Sequence, residues 1–216
     1  MGKVFIIKKQ EMVSFYSHFI GFILAVIGAI YLVFNTKSFA LRIVTIIYGL
    51  SLISLFLASS LYHANKKCDG EITIWRKLDH IAIFIMIAGT YTPVSFIYLS
   101  ANWKWSIIII QWTLVLAGLF FKFFYLKVPR YIYTIIYLLM GWIGIFGIAK
   151  FIKTMSSTTL IFLFAGGLSY TIGAFFYIFK IPKFKQKNFG FHEIFHLFIL
   201  LGAFLHYLLV YKAVIH

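Results

Sequence analysis

The sequence predicts an all-α membrane protein built as a bundle of seven transmembrane helices, and three observations carry that expectation. The chain of 216 residues is 62% hydrophobic and only 12% charged, with a mean hydropathy of +0.97. So apolar a chain cannot hide its surface inside a soluble globule of this length. Apolar runs recur seven times along it, each near the roughly 20 residues that cross a hydrocarbon core of about 30 Å. Lysine and arginine fall unevenly on alternate connections between those runs, as they do where cytoplasmic loops collect positive charge.

The spans follow in order. The first, 13–34, comes after Lys3, Lys8 and Lys9 and contains GFILAVIGAI, whose glycines allow another helix to approach closely. It begins too late and continues too far to be a cleaved signal peptide. The second, 40–63, ends in SSLYH, and the third, 78–100, opens on LDHIAIFIMIAGTYTP. The fourth, 104–125, starts beside Trp103 and Trp105, which suit the membrane interface. The fifth, 130–150, follows Lys122, Lys127 and Arg130. The sixth, 157–179, carries AGGLSYTIGAFF, glycines again better suited to helix contact than to phosphate binding. The seventh, 191–213, contains FHEIFHLFILLGAFLHY. Connections are short, no low-complexity segment or internal repeat appears, and 1–216 is expected to form a single transmembrane domain.

Fourteen of the twenty basic residues lie before span one or between spans two and three, four and five, and six and seven. The N-terminus is therefore expected in the cytoplasm and the C-terminus outside. The net charge of +15 is topological on this reading. The lysines flank spans and form no separate basic domain, so no nucleic-acid partner is expected and membrane lipids are the natural surroundings. A lone cysteine, Cys68, excludes an intrachain disulfide and a thiolate-rich metal site.

The acidic residues are few: Glu11, Asp69, Glu71, Asp79 and Glu193. Asp69 and Glu71 read as solvated loop residues. The other three mark helix ends, and each has histidine near it. Glu11 precedes Ser14, Ser17 and His18, Asp79 adjoins His80, and Glu193 sits between His192 and His196, while His63 ends the second span. Given the topology drawn from lysine and arginine alone, all four clusters fall at one membrane depth on the cytoplasmic side. Ionisable groups in a span are costly and mark function by default.

His192, Glu193 and His196 spell H-E-x-x-H, which by itself suggests a zinc metalloprotease with glutamate as base. Two histidines four apart project from one helix face and can grip one metal, but two ligands are not a site. His63 supplies a third nitrogen at the same depth, and three histidines with one open position is the pattern of catalytic zinc. Such a metal makes water acidic near neutral pH, and Asp79 is placed to orient that water or take its proton. In intramembrane proteases of the H-E-x-x-H type the motif precedes the aspartate ligand in the chain. Here His63 and Asp79 come first, so Asp79 is preferred to Glu193 as the base. His206, fourteen residues beyond His192, lies about 20 Å deeper along a helix and reads as a satisfied interior histidine. For Ser14, Ser17 and His18, helix adhesion and support of the site remain equally open.

The motifs together resemble the hemolysin III family, which belongs with the adiponectin and progestin receptors and the alkaline ceramidases in a superfamily of seven-helix membrane proteins. The resemblance rests on E-x-x-S-x-x-S-H at Glu11 to His18, S-x-x-x-H at Ser59 to His63, L-D-H with A-G-T-Y-T-P at Leu78 to Pro93, and H-E-I-F-H at His192 to His196. One departure is Ser14, where relatives often carry asparagine. The resemblance implies a zinc ion on His63, His192 and His196, with Asp79 at its water and Ser59 stabilising a developing oxyanion. It also implies hydrolysis of an amide or ester in a lipid-like substrate, in the cell membrane. The competing expectation is a receptor-like, sensor-like or cytolytic membrane protein in which zinc merely staples helices. A channel is disfavoured, because the outer halves of the spans lack charged groups to line a polar path.

Overall fold

In hydrocarbon, backbone N–H and C=O groups must find partners within the protein, and a continuous helix satisfies them along its own length. The computed structural model describes residues 7–68, 71–124, 128–183 and 189–215. Lys3, Asp69, Lys127, Lys185, Lys187, His216 and position 125 at the predicted end of the fourth span lie outside the described residues. Among the described residues, seven helices are long and apolar enough to cross a membrane: α1 Lys9–Asn35, α2 Phe39–Asn65, α3 Ile74–Tyr98, α4 Ala101–Phe124, α5 Arg130–Thr154, α6 Ser157–Phe179 and α7 Phe191–Ile215.

Most boundaries match the apolar runs, and the exceptions have local causes. α3 begins four residues earlier than hydropathy suggests because Thr73 caps it, its hydroxyl accepting from the Arg76 amide at 3.3 Å. Asp79 consequently lies in the second turn and does not open the helix. α1 is entered through a single 3₁₀ turn, Lys9–Glu11, which brings Glu11 into the helix. α5 continues past Lys150 to Thr154, with the Lys150 ammonium turned over the Trp103 ring at 4.8 Å.

α1 packs on α2, α2 on α3, α3 on α4 and α6 on α7, while α7 also meets α1 and α3. The core between them is filled by Tyr48, Leu52, Phe56, Met86 and Leu209. Large apolar residues such as Phe34, Phe39 and Phe146 face outward, as lipid contact requires. Small residues set the closest approaches. A Cβ at Gly89 of α3 would collide with the Ser51 side chain of α2, and one at Gly166 would collide with the His206 ring.

α5 is interrupted by a 3₁₀ stretch, Trp142–Gly147, which frees backbone groups at membrane depth. They are satisfied from neighbouring helices. The Tyr91 hydroxyl donates to Gly141 O at 2.6 Å and accepts from Gly144 N at 2.7 Å, and Gln111 donates to Met140 O at 3.0 Å. Behind this interrupted helix lies an apolar cavity of about 180 Å³, bounded among others by Leu55, Ile83, Phe195, Ile199 and His206.

Two outcomes are expected from this arrangement. Cys68, the sole cysteine, is exposed between α2 and α3. With the N-terminus in the cytoplasm, a membrane-impermeant maleimide should label it in inverted vesicles and not in intact cells, and the reverse pattern would invert the topology. Gly89→Ala should overpack the α2–α3 contact and cost about 1–3 kcal/mol, read as a lowered melting temperature in detergent. Gly167→Ala, where an added Cβ meets nothing within 4 Å, should leave stability unchanged or raise it slightly.

Candidate metal centre

Helical periodicity delivers the site in pairs. On α2, Ser59 and His63 are four residues apart and share a face, as do His192 and His196 in the first turns of α7. Where those faces meet, His192 Nε2 lies 3.4 Å from His63 Nε2 and 3.2 Å from His196 Nε2. Ligand nitrogens of all three histidines lie within 4.8 Å of one another, the one such cluster among the described residues. His63 and His196 are buried and His192 is half-buried.

The donor set fits a metal. Nitrogens bound tetrahedrally to zinc at about 2.0–2.1 Å stand about 3.3 Å apart, close to the two Nε2 separations. The opposite edge of His63 is also as a ligand requires: its Nδ1 lies 2.6 Å from Glu11 Oε2, a carboxylate contact typical of metal-binding imidazoles. The other oxygen of Glu11 accepts from Lys66 Nζ at 2.7 Å. Three histidines close enough to bind a metal therefore stand where the sequence predicted them.

Asp79 projects from α3 beside this cluster. Its carboxylate lies beside the Ser59 hydroxyl and within electrostatic reach of His63, Lys122 and Arg76. Lys122 is itself buried on α4, its ammonium 3.0 Å from His80 Nδ1 and 4.1 Å from the centre of the Tyr133 ring. The neighbour of Asp79 in sequence thus turns away from the histidine cluster and holds α3 to α4.

Glu193, the central residue of the H-E-x-x-H string, has a different occupation. One oxygen accepts from Ser14 Oγ at 3.1 Å and the other from Gly190 N at 2.8 Å. It ties α1 to α7 and caps the start of α7, as a glutamate three residues into a helix commonly does. Glu71, expected in solvent, accepts from Lys67 N at 2.8 Å and closes its own loop. His206 approaches Leu163 O at 3.3 Å and lines the apolar cavity, as an interior histidine held by the backbone. Of the residues left open between helix adhesion and support of the site, Ser14 bonds Glu193, Ser17 bonds the Ser14 carbonyl, and His18 packs on the cluster itself, as Glu11 also does. His18 is almost fully buried, with its ring centre 3.9 Å from that of His196. The available signal was their spacing: Glu11, Ser14 and His18 recur at helical intervals on an otherwise apolar helix.

Comparison with known proteins agrees with this architecture. The family described as Haemolysin-III related matches residues 6–207. The chain is 34% identical over 200 residues to the Hemolysin-3 homolog of Bacillus subtilis (strain 168), covering 90% of each protein. It is 33% identical to Hemolysin-3 of Bacillus cereus, covering 90% of this chain and 87% of that one. It is 26% identical over 224 residues to the human Monocyte to macrophage differentiation factor, covering 94% of this chain and 84% of the relative. No solved structure matches. With seven membrane-length helices and a match across nearly its whole length, the chain is a multi-pass cell-membrane protein and belongs to the Haemolysin-III related family.

Proposed function

We propose that the protein is a zinc-dependent intramembrane hydrolase acting on an amide or ester of a lipid-like substrate. The observation that carries this reading is the Asp79–Ser59 pair beside the three histidines. A metal that only stapled α2 to α7 would have no use for a carboxylate and a hydroxyl at its margin. Zinc held by His63, His192 and His196 supplies Lewis acidity toward water and a carbonyl oxygen.

The residues of the chain then divide the work. Asp79 takes the proton of the attacking water as its oxygen bonds to the carbonyl carbon, and returns that proton to the departing nitrogen or oxygen as the carbon–heteroatom bond breaks. Ser59 has a single hydroxyl hydrogen, and the neighbouring Asp79 carboxylate attracts it while ionised. Once Asp79 is protonated it no longer attracts that hydrogen, and the hydroxyl is free to turn toward the negative charge developing on the carbonyl oxygen. Glu193 takes no part, since both its oxygens are engaged in holding helices together.

The apolar cavity supports a lipid-like substrate. Leu55, Ile83 and Ile199 of its lining each lie one helical turn beyond Ser59, Asp79 and His196 respectively. A cavity of about 180 Å³ exceeds the roughly 150 Å³ apolar void that admits benzene in an engineered protein. A hydrocarbon segment seated there would leave its polar end beside Asp79.

Purified protein should contain zinc, and chelation should abolish cleavage of whichever lipid amide or ester in a screened panel is turned over. His196→Ala should lose the metal, and equal zinc content in that variant and the wild type would remove the basis of the ligand assignment. Asp79→Asn should keep its zinc and fold while losing about 10²-fold or more in kcat. Wild-type turnover by Asp79→Asn would sink the hydrolase reading. Ser59→Ala should lower kcat by about 10²-fold with little change in zinc content.

A further inference from the structure

The apolar face of α1 is broken by Glu11, Ser14 and His18, spaced so that all three point the same way, and all three are buried. Each meets a different part of the metal cluster. Glu11 Oε2 stands 2.6 Å from His63 Nδ1, Ser14 Oγ donates to Glu193 between the two α7 histidines, and the His18 ring leans over His196 at 3.9 Å with a tilt of 38°. We propose that α1 forms the outer shell of the metal site, with Glu11 the positioning residue for His63 and His18 the positioning residue for His196. The inference rests on the metal reading above and assigns roles to residues outside the ligand set.

For Glu11 the chemistry is direct. An imidazole presents a lone pair on one nitrogen only when its proton sits on the other, and the partner of that second nitrogen decides which is which. Glu11 holds Nδ1–H, which leaves Nε2 of His63 unprotonated and facing His192 Nε2 at 3.4 Å. The other carboxylate oxygen is held by Lys66 at 2.7 Å, so the side chain is fixed at both ends.

For His18 the observation is an anomaly that adhesion between helices does not explain. Neither of its ring nitrogens makes a hydrogen bond of normal geometry, although the His196 backbone lies near enough to act on one, and Nδ1 of His196 is likewise buried without a partner. Burying an unpaired polar group costs stability, and phenylalanine or leucine would fill the same space without that cost. Its other neighbour is apolar: the ring meets Phe56 edge-on at 5.2 Å. The polar group in ring contact with His18 is therefore a candidate ligand, whose own second nitrogen requires an acceptor once the first binds metal. A small rotation of either ring joins the two unpaired sites. Packed edge-on against Phe56 and stacked at a tilt on His196, the His18 ring also limits how far the His196 ring can swing out of line.

The test is zinc affinity, measured by competition with a chromophoric chelator on the full-length protein in detergent, for wild type, Glu11→Ala, Glu11→Gln and His18→Phe. Removal of an outer-shell partner should weaken zinc binding about 10- to 100-fold. Glu11→Gln should fall between wild type and Glu11→Ala, because its carbonyl oxygen still accepts from Nδ1–H but without charge. The metal-free melting temperature of Glu11→Gln should match wild type and that of His18→Phe should match or exceed it, which separates positioning from mere packing. The visible absorption of the cobalt-substituted protein should shift in both variants. If Glu11→Ala does not fold, the other variants decide, together with the nitrogen NMR of histidine-labelled wild type, which should show a ligand ring protonated at Nδ1. Wild-type zinc affinity and unchanged cobalt spectra in Glu11→Gln and His18→Phe would overturn the inference and leave the metal site standing. A wild-type protein that binds neither zinc nor cobalt would overturn the metal reading itself.

Discussion

Three imidazoles whose ligand nitrogens lie within 4.8 Å of one another, at the margin of a hydrocarbon-spanning bundle, are the constraint on which the rest of this structure turns. Neutral imidazole nitrogens that face one another as lone pairs repel, and at membrane depth little water is at hand to separate them. A cation on the shared axis turns the same geometry into an attraction. The surrounding residues make sense as consequences. Glu11 occupies the far nitrogen of His63, Glu193 pins the turn that carries His192 and His196, and Ser14 joins that turn to α1.

Because the ligands come from α2 and α7, the two helices must be held in register without a covalent link. Direct contact between them is slight, and the register is instead set through intermediaries: α1 packs along α2 and also meets α7, while α3 lies against both. The glycines that permit these approaches are therefore part of the site in an indirect sense. Gly89 brings α3 against α2 at Ser51, two turns from Ser59. Asp79 lies on the same α3, so the spacing of one helix pair sets how far the carboxylate stands from the histidine cluster.

Much of this was legible in the sequence because the bilayer simplifies it. Hydropathy located the helices, and the scarcity of ionisable residues meant that nearly every one within a span had a purpose. Depth alone predicts that His63, His192 and His196 meet, and the fold brings them together in space. What hydropathy could not supply is rotation about each helix axis. Asp79 and His80 are adjacent in sequence, yet one faces Ser59 and the other Lys122. The start of α3 escaped notice because a threonine cap, and not a change in hydropathy, begins it. The 3₁₀ stretch in α5 left no hydropathy signal either, since its residues are as apolar as an α-helical turn and its missing hydrogen bonds are made by Tyr91 and Gln111 from elsewhere in the chain.

The string H-E-x-x-H shows how far a local motif can carry and where it stops. Its two histidines do what their spacing allows, because four residues make one helical turn and both rings reach the same point. Its glutamate does not share that face. One residue from His192 it is rotated about 100° around the helix, toward α1 and the N-terminus of α7, where Ser14 and Gly190 engage both of its oxygens. On the proposed hydrolytic reading a base for water at the cluster has to come from another helix, and Asp79 on α3, beside Ser59 and within electrostatic reach of His63, is the carboxylate that this geometry leaves for the task.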